Sequence, residues 1–268
     1  MDLRNYFGLK AIPFSSDLKP NQLFLRPCME EISSKMAFAI QNGMYFTLIG
    51  EVGAGKSTAI RYSLSKLSAK AYAPIPMIGG AWSFTELLRQ CMQSIGISTR
   101  TSQQSRMLKE IKDCFASIRE SGRTPLLVID ECQLFNNDVF SQLHILSQGD
   151  LSGRSIPVVL CGQELLFEKL SSPMNKPLYS RVLDGYNLSG LSMEECSRYI
   201  KHLVCNIAGG KDDLFEEQAM IAIYQASAGI PRNVNEICLK AMAATMAANQ
   251  GTVTLDMVRI ALKKWWER

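Results

Sequence analysis

Apolar residues are arranged in two different ways along the chain, and the change comes near residue 190. Before that point, four continuous apolar runs end at glycine or acidic residues, and such runs predict buried strands. The four runs are MYFTLIG, AYAPIPMI, PLLVID and IPVVLCG, and DGYNLSGL predicts a fifth, short strand. The intervening segments predict helices over residues 29–41, 56–68, 85–95, 103–120 and 139–148.

Strands that alternate with helices favour a parallel sheet covered on both faces, which is the α/β class. Pro74 and Pro76 place the second strand at a sheet edge, because proline cannot donate to an inner ladder. From Ser192 onward the pattern is helical throughout. We therefore predict an N-terminal arm over 1–27 that is ordered but not helical, an α/β core over 28–190 and a helical lid over 191–268.

The stretch GEVGAGKS matches the phosphate-loop pattern GxxxxGKS/T between a predicted strand and a predicted helix. Its glycines let backbone N–H groups converge on phosphate oxygens, and the helix N-terminus adds partial positive charge. Lys56 is expected to reach the β- and γ-phosphates of ATP, and Ser57 to hold Mg²⁺. A glycine turn capping an ordinary helix is the alternative. The predicted nucleotide-binding residues here are Gly50, Glu51, Val52, Gly53, Ala54, Gly55, Lys56, Ser57 and Thr58.

Two carboxylates follow the buried run LLVI, at Asp130 and Glu131. Ligands of open α/β sheets bind at the carboxyl ends of strands, so both side chains are placed for nucleotide chemistry. Asp130 is expected to hold Mg²⁺ through water, and Glu131 to orient and polarise the attacking water. A strand followed by an acidic turn is the alternative.

Three further polar residues are candidates for the same site. Gln163 follows IPVVLCG and is placed to sense the γ-phosphate or to position the water; a polar loop residue is the alternative. Arg181 precedes the last predicted strand and is placed to reach the ATP of a neighbouring subunit; a solvated surface arginine is the alternative. Arg232 follows Pro231 at a predicted helix start that faces the nucleotide; a structural arginine is the alternative.

Composition permits a polyanionic partner without requiring one, because 268 residues carry a formal net charge of +4 and a pI of about 8.6. Candidate contacts to DNA phosphates are Arg100, Arg106 and Lys109, followed by Lys112, although a polar loop and a solvated helix face also explain them. Lys263 and Lys264 are a second candidate. The adjacent Trp265 and Trp266 are expected to pack on the lid, bind a partner or stack on bases.

The N-terminal segment lacks the apolar centre of a signal peptide, and no apolar run approaches the roughly 20 residues that cross a bilayer. We therefore expect a cytoplasmic protein without membrane insertion.

Taken together, the phosphate loop, LLVIDE, CGQELL, the Arg181 region, SAGIPRNVNEIC and the opening YFGLKAIPF resemble AAA+ ATPases of the ExeA type. The resemblance implies an AAA+ core with a five-stranded parallel sheet in the order 5-1-4-3-2, a C-terminal helical lid, and ring or helical homo-oligomers that bind ATP and Mg²⁺ between subunits. It also implies roles for Gln163 as sensor 1, Arg232 as sensor 2 and Arg181 as a finger donated in trans.

Secretion members of that family continue into a membrane span, whereas this sequence ends at Arg268, and a stand-alone form resembles the helper ATPases of phage Mu and related transposons. That resemblance implies an ATP-dependent regulator that oligomerises on duplex DNA and recruits or stimulates a transposase. The alternative is a cytosolic ATPase that energises secretion or envelope assembly. A nucleotide-dependent scaffold with little turnover is a third hypothesis, against which the intact Lys56, Asp130 and Glu131 argue.

Overall fold

The computed structural model describes residues 2–15, 18–98, 101–148 and 155–263. Within them, five strands form one parallel sheet in the order β2-β3-β4-β1-β5. This result confirms the predicted fold class and the predicted strand order. The strands are β1 (Tyr45–Gly50), β2 (Tyr72–Ile78), β3 (Thr124–Asp130), β4 (Val158–Gly162) and β5 (Val182–Leu188).

Helices lie between the strands along the chain and make up its C-terminal part. They are α1 (Leu3–Phe7), α2 (Pro27–Gln41), α3 (Lys56–Lys66), α4 (Phe84–Ser94), α5 (Gln104–Glu120), α6 (Asn137–Ser147), α7 (Glu164–Ser171), α8 (Lys176–Tyr179), α9 (Met193–Lys201), α10 (Glu217–Ser227), α11 (Pro231–Ala247) and α12 (Leu255–Leu262). A π-helix, His202–Ile207, continues from α9, and one-turn 3-10 helices lie at Pro20–Gln22, Cys132–Leu134 and Pro173–Asn175.

The expectation that the N-terminal arm contains no helix was wrong for α1. The side chain of Asp2 caps this helix by accepting from the backbone N–H of Arg4, and Gly8 ends it with φ of 66°. Both caps are made by residues directly beside the helix and stabilise its ends, so a short helix forms before the first proline.

The chain divides into two compact units, which do not follow the sequence continuously. The sheet unit comprises Pro27–Gly50 and Lys56–Leu188. The helical unit comprises the described residues of Met1–Arg26, Glu51–Gly55 and Ser189–Arg268. The loop between β1 and α3 therefore groups with the helices although both of its neighbours belong to the sheet.

The core of the sheet unit lies on both faces of the central strands. All five residues of β4 and five of the seven residues of β3 are buried, as expected for inner strands of a covered parallel sheet. Apolar residues of α4, α5 and α6, including Leu87, Ile111 and Phe140, form one buried cluster with residues of β3 and β4.

Strand β2 lies at one edge of the sheet, as its two prolines predict. The backbone N–H of Gly79, just after β2, donates to the backbone carbonyl oxygen of Asp130 in β3 at 2.6 Å. Because successive residues of a strand alternate in direction, the N–H groups of the odd-numbered residues of β2 point toward β3. Pro74 and Pro76 occupy positions that point outward. The carbonyl oxygen of Pro76 accepts a hydrogen bond from Ser94 Oγ at 2.8 Å.

The helical unit is formed by α9 to α12 with the N-terminal arm packed on them. A capping box starts α9, since Ser192 and Glu195 each accept the other's backbone N–H, at 3.1 and 2.9 Å. Leu9 and Phe14 of the arm join the apolar cluster of these helices. Arg26, 8% exposed, donates to the carbonyls of Ser189 and Gly190 and pairs with Glu195.

None of the helices in the described ranges has the length and apolar character needed to cross a membrane.

Candidate nucleotide-binding site

The carboxyl edge of the sheet gathers most of the residues that the sequence marks for nucleotide chemistry in the sheet unit. In the parallel register Ile49 pairs with Gly162 and Ile129 with Leu160. Gly50, Asp130 and Gln163 follow at or directly after the ends of these paired stretches. They consequently lie at or just after the ends of three neighbouring strands, β1, β3 and β4, on the same side.

Lys56 is the first residue of α3 and is only 6% exposed. Its Nζ donates to the carbonyl oxygen of Gly50 at 2.9 Å. A buried ammonium group has to be paired, so Lys56 is fixed beside the point where the phosphate loop leaves the sheet. The helix N-terminus there carries partial positive charge that favours an anion.

Ser57 and Asp130 place two oxygen atoms together at the same edge. Ser57 Oγ donates to Asp130 Oδ2 at 2.7 Å, and the backbone N–H of Glu131 donates to Asp130 Oδ1 at 2.8 Å. Burial alone would raise the pKa of Asp130. Hydrogen bonds from Ser57, Cys161 and the backbone of Glu131, with the charge of Lys56, outweigh burial, so the pKa of Asp130 is lowered. The carboxylate is therefore ionised at neutral pH.

Glu131 has left-handed backbone geometry, with φ of 54° and ψ of 35°. This conformation is costly for a residue with a side chain, and it concentrates at functional sites. It turns the chain from β3 into the 3-10 helix Cys132–Leu134. Gln133 Nε2 of that helix donates to Glu131 Oε2 at 2.5 Å, so the predicted water-activating carboxylate is held by an amide.

Gln163 is the N-cap residue of α7, and its backbone N–H donates to Gln133 Oε1 at 3.1 Å. The structure therefore connects Glu131 and Gln163 through one residue, Gln133, that the sequence analysis did not select. Within the sequence, the position of Gln133 two residues after the acidic pair Asp130 and Glu131 was the only local indication of a role in the site. The contact to Gln163 depends on the pairing of β3 with β4, which no short motif records.

Residues 51–55 of the phosphate loop belong to the helical unit, and so does Arg232. Pro231 and Arg232 open α11, as the sequence predicts. The backbone N–H of Arg232 donates to the carbonyl oxygen of Gly53 at 3.3 Å. Gly53 has φ of +83°, and a Cβ there would lie 2.6 Å from Cβ of Arg232, so the close approach requires glycine.

Arg181 lies at the opposite, amino edge of the sheet. Its carbonyl oxygen accepts from the backbone N–H of Tyr45, the first residue of β1, at 2.8 Å. Gly50 ends the same six-residue strand. Five steps of about 3.3 Å along the strand separate Tyr45 from Gly50 by about 17 Å. A bulge in the β1–β5 ladder directly follows, where pairing shifts from Val182 to Asp184. The structure thus does not bring Arg181 to the edge that holds Lys56 and Asp130.

The charge of the Arg181 guanidinium acts on two titratable side chains of the sheet unit, His144 and Tyr45. Burial lowers the pKa of His144, and the positive charge of Arg181 lowers it further. Burial raises the pKa of Tyr45 to about 12, against a smaller opposite effect of the same guanidinium. Its Nη1 donates to the carbonyl oxygen of Pro177.

The basic residues proposed to contact DNA have separate positions. Arg106, Lys109 and Lys112 lie on α5, where Arg106 is exposed and pairs with Glu110 at 3.1 Å. Lys263 directly follows α12 as its C-cap residue. Arg100, Lys264, Trp265 and Trp266 lie outside the described residues.

The donor set fits Mg²⁺ bound together with a nucleotide. Magnesium prefers oxygen ligands and keeps several water and phosphate ligands, and Ser57 Oγ and Asp130 Oδ2 are both hard oxygen donors. In the described part of the chain, no cluster of three or more His, Cys, Asp or Glu residues could hold a metal. An ion at Ser57 would therefore take its remaining ligands from phosphates and water.

A buried lysine at the start of α3, a serine–aspartate pair and a five-stranded parallel sheet with β1 between β4 and β5 are features of the AAA P-loop ATPase fold. Residues 40–170 match the family model described as an AAA domain. That match covers the phosphate loop, the β3 acids and Gln163.

Known proteins resemble the chain over most of its length. It is 28% identical over 262 residues to General secretion pathway protein A of Aeromonas hydrophila, a match that covers 96% of this chain and 47% of the relative. The chain thus spans about half of that curated relative.

Among solved structures, the ORC2 protein of Aeropyrum pernix in its ADPNP–ADP complexes has a TM-score of 0.70 and 14% identity, over 93% of this chain and 70% of that one. Drosophila ORC bound to DNA has a TM-score of 0.64 and 19% identity, over 97% of this chain and 64% of that one. At these identities the likeness concerns the fold.

Proposed function

We propose that the chain is a Mg²⁺-dependent ATPase that assembles with copies of itself on duplex DNA and, in that form, recruits or stimulates a transposase. The observation that carries the assembly is the position of Arg181. Every predicted ATP-site residue of the sheet unit except Arg181 lies at the carboxyl edge, and Arg181 lies one strand length away.

Within one copy, the contacts support the following roles. Lys56 exchanges its bond to the Gly50 carbonyl for phosphate oxygens, and Ser57 and Asp130 hold Mg²⁺ when it is bound. Glu131 orients the attacking water and accepts its proton. Gln163 senses the γ-phosphate, and Arg232 contributes positive charge from the start of α11.

A second copy supplies what the first lacks. Charge that develops on the transferred phosphoryl group is commonly stabilised by an arginine from a neighbouring subunit. Arg181 is partly exposed at the amino edge, beside a bulge that reshapes the start of β5. A neighbour that packs this edge against the ATP site would complete it.

Duplex DNA is proposed as the surface of assembly because basic residues occupy one helix of the sheet unit. Lys109 and Lys112 lie on α5 with Arg106, and an oligomer would repeat this group along a duplex. The Drosophila relative by fold is itself bound to DNA.

The test is binding to an arbitrary duplex with a non-hydrolysable ATP analogue at several salt concentrations. The proposal predicts binding that requires the analogue and weakens steeply with salt, because phosphate contacts release counterions. Charge reversal of Lys109 and Lys112 to Glu should reduce both the affinity and the salt dependence. The matched control is Lys70→Glu, at an exposed lysine of the sheet unit outside α5. Absence of binding at low salt with the analogue would exclude DNA as the partner.

The similarity to General secretion pathway protein A favours a second candidate, an ATPase that energises secretion or envelope assembly. The same catalytic residues would serve it through a membrane-bound partner. Co-purification with membranes, together with ATP turnover that duplex DNA leaves unchanged, would select this candidate.

A further inference from the structure

Gln133 is one of the few buried polar residues of the sheet unit, at 4% exposed, and its side chain touches two residues of the candidate site. Nε2 donates to Glu131 Oε2 at 2.5 Å, and Oε1 accepts from the backbone N–H of Gln163 at 3.1 Å. The residue thus lies between the end of β3 and the end of β4.

The orientation of the Gln133 amide is fixed by its partners. A backbone N–H can only donate, so the atom that faces Gln163 must be the amide oxygen. The amide nitrogen then faces Glu131 Oε2, which accepts its hydrogen bond. Rotating the amide by half a turn would break both hydrogen bonds at once.

The surroundings of the Gln133 side chain are tightly packed. A Cβ on Gly162 would lie 2.7 Å from Gln133 Oε1, so a larger residue at the end of β4 would displace the amide from this position. Lys169 Nζ, on α7, donates to the backbone carbonyls of Gln133 and Phe135 at 2.6 Å each. The 3-10 helix that carries Gln133 is therefore tied to α7 as well as to β4.

We propose that Gln133 is a positioning residue for ATP hydrolysis, which holds the carboxylate of Glu131 in the orientation that activates water and joins it to the γ-phosphate sensor at Gln163. This inference rests on the proposed role of Glu131. A movement of the Gln163 backbone would displace the Gln133 amide and, through it, the Glu131 carboxylate.

The first test is Gln133→Met, which keeps the size of the side chain but removes both hydrogen bonds. We expect kcat of the full chain to fall about 10- to 100-fold, because small misplacements of a catalytic group have effects of that size. ATP affinity should stay within about twofold, since the bonds of the Gln133 side chain go to Glu131 and Gln163 rather than to the phosphate loop. Gln142→Met, at a partly exposed glutamine of α6, is the matched control and should leave kcat unchanged.

The second test is Gln133→Glu, which separates positioning from packing through the pH profile of kcat. The introduced carboxyl can still accept from Gln163, but it can donate to Glu131 only when it is protonated. Two carboxyls in contact titrate as a pair, so kcat should be depressed more at about pH 8 than at about pH 6 relative to wild type. The charged and titratable groups next to this pair are Cys132, which interacts with Glu131, and Lys169, which donates to the Gln133 carbonyl. Asp130 precedes Glu131 in the chain and interacts in turn with Lys56 and Cys161.

Glu131→Gln, assayed in parallel, separates the positioning role of Gln133 from the proposed role of Glu131. If Glu131→Gln abolishes turnover while Gln133→Met hydrolyses at the wild-type rate, the positioning role is wrong and the proposed function stands. Normal turnover by Glu131→Gln would instead overturn the proposed role of Glu131. If Gln133→Met fails to fold, the Gln133→Glu profile decides: a drop that is equal at the two pH values would contradict positioning.

Discussion

The two edges of the parallel sheet differ in how their polar residues are held. At the carboxyl edge, Lys56, Asp130 and Glu131 are each tied by a hydrogen bond to another residue of the candidate site or its support. At the amino edge, the Arg181 guanidinium donates to the carbonyl oxygen of Pro177 in α8, and its charge acts on Tyr45 and His144. Hydrogen bonds within one copy thus preorganise the carboxyl edge, whereas the amino edge presents the positive charge of Arg181.

This difference teaches how one fold can make hydrolysis depend on assembly. A carboxyl edge that is organised in a single copy can bind ATP and Mg²⁺. An arginine that is a strand length away in the same copy cannot stabilise charge there, so the proposed role of Arg181 requires a neighbouring copy. Mutations at the two edges should therefore separate binding from turnover.

The largest effect is expected for Arg181→Ala. Turnover of the assembled protein should fall about 10³-fold or more, because arginine fingers contribute about 10³–10⁵ in rate. ATP affinity of the isolated chain should not change. The matched control is Arg123→Ala, at an exposed arginine directly before β3 on the same edge, which should keep full activity.

Mixing variants tests whether the two edges act in different copies. Arg181→Ala retains the ATP site, and a Lys56→Ala chain retains the arginine. Mixtures should recover turnover that neither variant has alone, measured as phosphate release against mixing ratio. Failure to recover at every ratio would count against donation between copies.

At the carboxyl edge, Glu131→Gln should lower kcat about 10²–10⁴-fold, the range of general acid–base catalysis. Equilibrium ATP binding should be retained, and the assembled state should persist longer because ATP is not consumed. Steady-state turnover and a binding titration with labelled ATP measure the two quantities. Loss of binding together with turnover would show that Glu131 acts on the ground state.

The contact of the phosphate loop with α11 in the helical unit can be tested with two glycines of matched backbone. Gly53→Ala should cost about 1–2 kcal/mol for its positive φ, and a further 1–3 kcal/mol or so for the overpacking against Arg232. Gly122 has φ of +81°, and apart from Gly122 and its two chain neighbours no atom of the described residues lies within 4 Å of the position that a Cβ would take, so Gly122→Ala carries only the backbone cost. Urea denaturation of both variants gives the difference in their loss of unfolding free energy. Equal losses would show that overpacking against Arg232 contributes nothing.

The smallest effect is the contribution of Asp130 to stability. Its pKa is lowered in the folded chain, so the ionised form stabilises the fold above the unfolded pKa of about 3.9. That contribution is lost as pH falls through the folded pKa. Asp130→Asn should therefore be less stable than wild type at neutral pH, by about 1.5 kcal/mol, and the gap should close below about pH 4. A gap that is constant from neutral to strongly acidic pH would contradict the sign.

Sequence patterns could predict the features that depend on neighbouring residues. The continuous apolar runs indicated the strands, and GEVGAGKS indicated a lysine at the start of a helix, because both are local. The strand order came through family resemblance. Caps at Asp2 and Gly8 were also local signals and would have revealed α1.

Features that depend on distant residues could not be found in the same way. The amide of Gln133 acquires its role only when Glu131 turns left-handed and β4 brings the N–H of Gln163 to 3.1 Å from it. The bond from Arg232 to Gly53 joins the start of α11 to a loop that precedes α3. Tertiary packing decides such contacts, and neither is encoded by spacing within one segment.

The outer side of β2 has a consequence for how copies can meet. An open sheet edge normally offers a row of N–H groups that a strand from another molecule can extend, which is a route to fibres. Pro74 and Pro76 remove two successive outward donors, and Ser94 occupies the outward carbonyl of Pro76. At high local concentration, the β2 edge is thereby protected from pairing with a strand of another copy. Replacing both prolines by threonine would be expected to expose that hazard.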